Sequence, residues 1–140
     1  SRETMAGIII NDGVHYLCDG FRAVRFPEPI EYKKTAQELD IKKIFDSAAQ
    51  NEKPLDLPSA GELKSHIVLE KAKRKAEGGR PSKAPVLWSF GEGLPSVNAE
   101  YLLDFCEVMP KAKLTYTNNT APIYFKDERT EAILMPMRTA

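Results

Sequence analysis

Disulfide frameworks, a surplus of charge and long apolar runs are what this sequence does without. Among 140 residues there are two cysteines, Cys18 and Cys106, and one tryptophan. Two distant thiols with no pairing pattern exclude a fold stapled by disulfides, so stability has to come from a buried core. Lys plus Arg and Asp plus Glu number 20 each. No global field therefore pulls the chain toward nucleic acid or membrane, and any basic surface must be local. No stretch reaches the length needed to cross a bilayer or to form a signal h-region. The expectation is one domain over residues 1–140, in a reduced cytoplasmic setting, with no membrane partner. In that setting Asn118-Asn119-Thr120 reads as a turn rather than a glycan acceptor.

Catalytic constellations are equally scarce. There is no nucleophile beside a base, no Gly-rich phosphate loop and no paired-acid motif. His15-x-x-Cys18 has metal-like spacing, but His66 and Cys106 stand isolated, and a structural zinc needs four ligands. Asp12 and Asp19 sit where hairpin turns need them, and Asp104 falls on a helix. Cys18 is either a reactive thiol beside Asp19 or, more commonly for a strand-end cysteine, a small hydrophobe. A protein that binds rather than catalyses, with no cofactor and no metal, is the expectation.

What is present begins with three β-rich runs over residues 6–26, separated by Asp12-Gly13 and Asp19-Gly20. Asp-Gly pairs supply the positive φ of tight hairpins, which predicts an antiparallel three-stranded meander. Residues 27–85 read as a helical insert and linker. Within it, Thr35 to Glu38 offers a capping box, and Ile41, Ile44, Phe45 and Ala48 form an apolar stripe at i, i+3, i+4 and i+7. Ser59-Ala60-Gly61-Glu62 is a second capping box, opening a helix that carries Leu63 and Ile67 and then the basic Lys71, Lys73, Arg74 and Lys75 before Gly78-Gly79.

Residues 86–140 begin with a strand over 86–90. Asn98 then caps a helix whose apolar face is Tyr101, Leu102, Phe105, Cys106 and Met109, and Pro110 stops it. A second meander follows through residues 113–117, 122–125 and 131–135. The predicted class is α+β, two antiparallel meanders packed with helices, in two halves that each set a sheet behind a helix. The first half lacks the helix that precedes the meander in the second. Either the chain begins abruptly or a segment lies upstream.

Two segments resemble the bacterial DNA polymerase III beta subunit, the sliding clamp. "GVHYLCDGFRAVRF", residues 13–26, is similar to the clamp strand that ends in a Thr-Asp-Gly-His-Arg-Leu turn, with Cys18 and Phe21 at the Thr and His positions. "SVNAEYLLDFCEVMPKAKLTYTNNTAPIYFKDERTEAILMPMR", residues 96–138, resembles the last helix and three strands of the clamp and ends in the same Met-Pro-Met-Arg. Residues 33–84 match no part of it. A clamp subunit carries several such domains in tandem, whereas this chain has room for one.

The resemblance implies a DNA-clamp-like domain and a non-catalytic processivity role in DNA replication. It also implies a hydrophobic groove for the clamp-binding peptide motifs of replication proteins. Carried over by position, one wall is Asp19, Gly20, Phe21, Arg22 and Ala23, and the other is Met135, Pro136, Met137 and Arg138. In the family these walls come from neighbouring domains, so here they would meet across a contact between protomers or not at all. Methionines suit a groove that repacks around different ligands. Met135 and Met137 equally suit the core side of a last strand, although Pro136 marks a ladder that is ending. Lys71, Lys73, Arg74 and Lys75 read either as a track for phosphates, binding DNA without regard to sequence, or as a solvated helix end. Encirclement of DNA would require a homo-oligomer. The alternative is an adaptor that kept the fold and binds peptides but not DNA.

Overall fold

The computed structural model of the chain describes residues 8–11, 14–18, 22–26, 41–78 and 84–137. Nine strands and three helices are formed by these residues. In chain order they are β1 (Ile8–Asn11), β2 (Val14–Cys18), β3 (Arg22–Phe26), α1 (Ile41–Ala48), β4 (Lys53–Leu55), α2 (Ala60–Ala76), β5 (Leu87–Ser89), β6 (Ser96–Asn98), α3 (Ala99–Val108), β7 (Lys113–Tyr116), β8 (Ile123–Lys126) and β9 (Glu131–Leu134). The class is a mixture of helices and antiparallel sheet.

Local chemistry starts and stops the elements. The Ser59 hydroxyl accepts the Glu62 N–H at 3.1 Å and opens α2, which closes on Gly78 at φ +77, a left-handed conformation open to glycine without a Cβ penalty. The Asn98 side-chain Oδ1 accepts from the N–H groups of Glu100 and Tyr101 and caps α3. Asn118 Oδ1 takes the amides of Thr120 and Ala121 between β7 and β8. Asp127 Oδ1 does the same for Arg129 and Thr130 between β8 and β9. The Asp12-Gly13 and Asp19-Gly20 turns and the Thr35 capping box lie outside the described residues.

Pairing departs from the expectation of two separate halves. Seven strands make one antiparallel sheet in the order β1-β2-β3-β9-β8-β7-β4. The join is β3 with β9, which sets Arg22 opposite Leu134 and Arg25 opposite Glu131. Two strands were not legible beforehand. Inside the supposed linker, β4 pairs with β7 at the sheet edge, where Pro54 is tolerable. The strand expected at 86–90 is one arm of a separate hairpin, β5 with β6, the second arm running directly into the α3 cap.

Strand alternation then assigns the faces. Leu55, Leu114, Phe125, Ala132 and Leu134 point to one side, where they form a core with Leu63 and Ile67 of α2 and Leu102, Phe105 and Cys106 of α3. Phe105 meets Phe125 edge to face at 4.9 Å. Both helices lie on this side, antiparallel to one another, as the pairs Lys64–Glu107 and Lys71–Glu100 require. Ala23 and Ile133 point to the other side, toward α1, whose Phe45 and Ala48 are buried. Ile44, expected on the buried stripe, is 39% exposed, because α1 presents a narrower face to the sheet than the periodicity suggested. No helix among the described residues is long and apolar enough to cross a membrane.

Replacing Asn98 with Ala should leave the first amides of α3 unsatisfied and lower stability by about 1 kcal/mol. Leu102→Ala should cost about 2–5 kcal/mol through the cavity it leaves. Urea denaturation followed by circular dichroism measures both, and a reversed order of the two effects would contradict this account of α3.

Candidate functional site

The β3–β9 join brings together residues separated by most of the chain. Arg22 opens β3 with its guanidinium over the Tyr101 ring, 4.1 Å from the centroid, and an Nη1 hydrogen bond to Asp104 at 2.6 Å. Both contacts come from α3, so the helix fixes the direction of this cation on the core-side face. Ala23, next in the strand, is buried on the opposite face and offers a ligand nothing but backbone. Asp19, Gly20, Phe21 and Arg138 lie outside the described residues.

Beyond β9 the chain leaves the ladder. Met135, Pro136 and Met137 are each half-buried, neither sealed in the core nor free in solvent. The Met137 N–H donates to the Ser96 carbonyl at 2.7 Å, forming a single antiparallel bridge to β6. Because β3 and β9 are neighbours, Arg22 and the 135–137 segment approach each other inside one chain. The walls were expected to meet across a contact between protomers or not at all; the register sets Arg22 and Ala23 beside the end of β9 within one chain. Sequence spacing carried no sign of which strand would pair with β9.

The basic run on α2 divides into two uses. Arg74 donates to the carbonyls of Ala84 at 2.7 Å and Pro85 at 3.2 Å, clasping the segment that returns toward β5. Lys71 pairs with Glu100 of α3 at 3.3 Å. Lys73 and Lys75 are exposed on the last turns of the helix. His66 is occupied as well, its Nε2 lying 2.7 Å from the Leu87 carbonyl and its ring edge-on to Trp88. His15 and Cys18 fall on β2, their side chains outside the described residues. Cys106 is buried, its thiol donating to the Pro58 carbonyl at 3.3 Å, and burial together with the charge of Glu107 pushes its pKa up to about 11. A thiol so held is a poor nucleophile.

Sequence reasoning missed the network on the α1 side of the sheet. Arg25 grips Glu131 with two nitrogens, donates to Asp46 of α1 at 3.1 Å, and stacks over Phe45 at 4.8 Å. Tyr124 donates its hydroxyl proton to Glu131. Burial works to raise the Glu131 pKa, but the hydrogen bonds from Arg25 and Tyr124 and the Arg25 charge outweigh it and hold the carboxyl below its ordinary value. Burial, with the same carboxylate, pushes the Tyr124 phenol well above its usual range. An Arg and a Glu 106 positions apart give no signal until the register is known.

No protein family description and no curated protein matches this sequence. A solved structure of the DNA polymerase III beta subunit from Thermotoga maritima aligns with 91% of this chain and 42% of its own, at 14% identity and a TM-score of 0.48. The chain thus spans less than half of that subunit.

The Glu131 carboxyl is held below its unfolded value, so its stabilisation is present above an ordinary carboxylate pKa of about 4.3 and is lost as pH falls through the folded one. The Tyr124 phenol is raised, so its share is full below about pH 10 and is lost above it. Glu131→Gln should cost about 2 kcal/mol at neutral pH, and the gap from wild type should narrow as pH falls below 4. Thermal melts across pH measure this, and a gap that stays constant into acid would refute the assignment.

Proposed function

We propose that this chain is a non-catalytic binding protein of the sliding-clamp type, a single clamp-like unit that receives a short apolar peptide from a replication partner. The proposed site joins Asp19, Gly20, Phe21, Arg22 and Ala23 to Met135, Pro136, Met137 and Arg138. The observation that carries this reading is the β3–β9 pairing. It sets Arg22 opposite Leu134, immediately before the methionine-bearing tail, so the two segments with clamp-like sequence are neighbours in one chain. Half-buried methionines with unbranched side chains can part around an apolar anchor. An arginine already held by Asp104 and Tyr101 orients the ligand without being ordered anew at binding.

Lys73 and Lys75 are the proposed contacts for DNA, weak and sequence-independent, with a ring built from several copies if the protein encircles a duplex. A second reading is an adaptor that binds peptides and not DNA. Arg74 supports it, since its guanidinium is committed to the Ala84 and Pro85 carbonyls, as does Lys71 with its Glu100 partner. In either reading the setting is the cytoplasm, and the protein acts by holding a partner rather than transforming one.

A fluorescent apolar clamp-motif peptide should bind the wild type, and Met135→Ala with Met137→Ala should weaken it about tenfold, or about 1.4 kcal/mol. Anisotropy measures the affinity, and circular dichroism checks that the variant folds. Equal affinity in a folded variant would remove the proposed groove. A labelled duplex titrated from low to high salt separates the two readings. The DNA-engaging one expects Lys73→Gln with Lys75→Gln to flatten the log K against log salt slope by about 2, and a duplex that never binds leaves the adaptor.

A further inference from the structure

At the end of the sheet away from the tail, the turn after α3 and the β8–β9 turn flank an open cleft of about 700 Å³. Its lining includes Lys111, Lys113, Lys126 and Arg129, with the carboxylates of Asp127 and Glu128 among them. The register makes this cleft unusual. Lys113 of β7 stands directly opposite Lys126 of β8, and both side chains are exposed on the α1-side face. Directly opposed like charges destabilise an antiparallel pair, their Cβ atoms being only about 5 Å apart.

The next residue in the row is Glu131, but its carboxylate is gripped by Arg25 and accepts the Tyr124 hydroxyl. Asp127 Oδ1 holds the amides of Arg129 and Thr130, which anchors that carboxylate in the turn. Among the described residues no carboxylate lies within ion-pair distance of Lys111, Lys113 or Lys126. Lys111, Lys113 and Lys126 therefore line one concavity without a direct ion pair among the described residues, Glu131 acting on Lys126 through its charge alone, and with Arg129 they outnumber the two lining carboxylates.

We propose that this cleft is a binding site for a compact polyphosphate, a diphosphate group either free or carried on a small molecule. Four cations against two carboxylates leave the lining about two positive charges in excess, and a diphosphate offers one phosphoryl group to each of the opposed Lys113 and Lys126. Asp127 and Glu128 beside the cations disfavour a continuous phosphodiester track, which separates this site from the nucleic-acid contacts proposed on α2. An anion seated between Lys113 and Lys126 also offsets the repulsion that the empty pair bears.

The repulsion supplies a test independent of the peptide groove. With ionic strength held constant by sodium chloride, inorganic pyrophosphate should raise the wild-type melting temperature to a plateau, with one site by calorimetry. Lys113→Gln with Lys126→Gln should raise the ligand-free melting temperature by about 1–3 °C and weaken pyrophosphate binding about tenfold or more. Met135→Ala with Met137→Ala should bind pyrophosphate as the wild type does, so the two proposals fail separately. Adenosine diphosphate tighter than pyrophosphate supports a carried diphosphate, and equal or weaker binding supports the free anion. The proposal is overturned by undiminished binding in the Lys113/Lys126 variant, by an equal melting shift with chloride alone, or by a duplex that loses as much affinity in that variant as pyrophosphate does.

Discussion

Arg25 is where two distant parts of the chain become one sheet. The β3–β9 ladder closes a long loop, and closing it costs entropy that backbone hydrogen bonds alone offset only modestly. The bidentate contact with Glu131 adds charge-assisted bonds at the seam. Phe45 and Asp46 from α1 cover the same guanidinium. A largely covered cation without its carboxylate would be unfavourable, so this set of groups favours one register over its neighbours. A slip by one residue would place Arg25 opposite Ala132 and turn its charge from the α1 side into the apolar core.

That single register determines the geometry around the tail. With β3 beside β9, the cation of Arg22 emerges on the helix-covered face, next to the point where the last strand gives out. The two faces of the sheet thereby take on different characters. One, among the described residues, is apolar under α2 and α3, with Arg22 and Asp104 at one margin and Lys53 over Tyr116 at the other. The other carries a cross-strand row of charge, Lys113, Lys126, Glu131 and Arg25, only part of which is internally neutralised.

The elements legible in the sequence were those set by local chemistry. Asn98, Ser59, Gly78, Asn118 and Asp127 each act on amides or dihedrals a few residues away, and each stands at the boundary that its side chain creates. Non-local outcomes were not legible. Three residues with a central proline, Lys53–Leu55, carry too little periodicity to announce β4, and Ser96–Asn98 hides behind the cap that follows it. The candidate site divides in the same way. Arg22 and Met135 to Met137 were named from sequence, but their approach depends on strand order. The use of Arg74 depends on the carbonyls of Ala84 and Pro85, which no pattern within α2 reveals.

Pro136 has no N–H, and among the described residues the amide of Met137 ties the segment after β9 to Ser96. One hydrogen bond at the margin of a two-stranded hairpin opens at far smaller cost than the seven-stranded ladder upstream. Release of residues 135–137 from β6 therefore costs less than opening the ladder behind them. Side-chain changes after Leu134 can retune how readily that segment lifts away while the sheet behind it keeps its full stability.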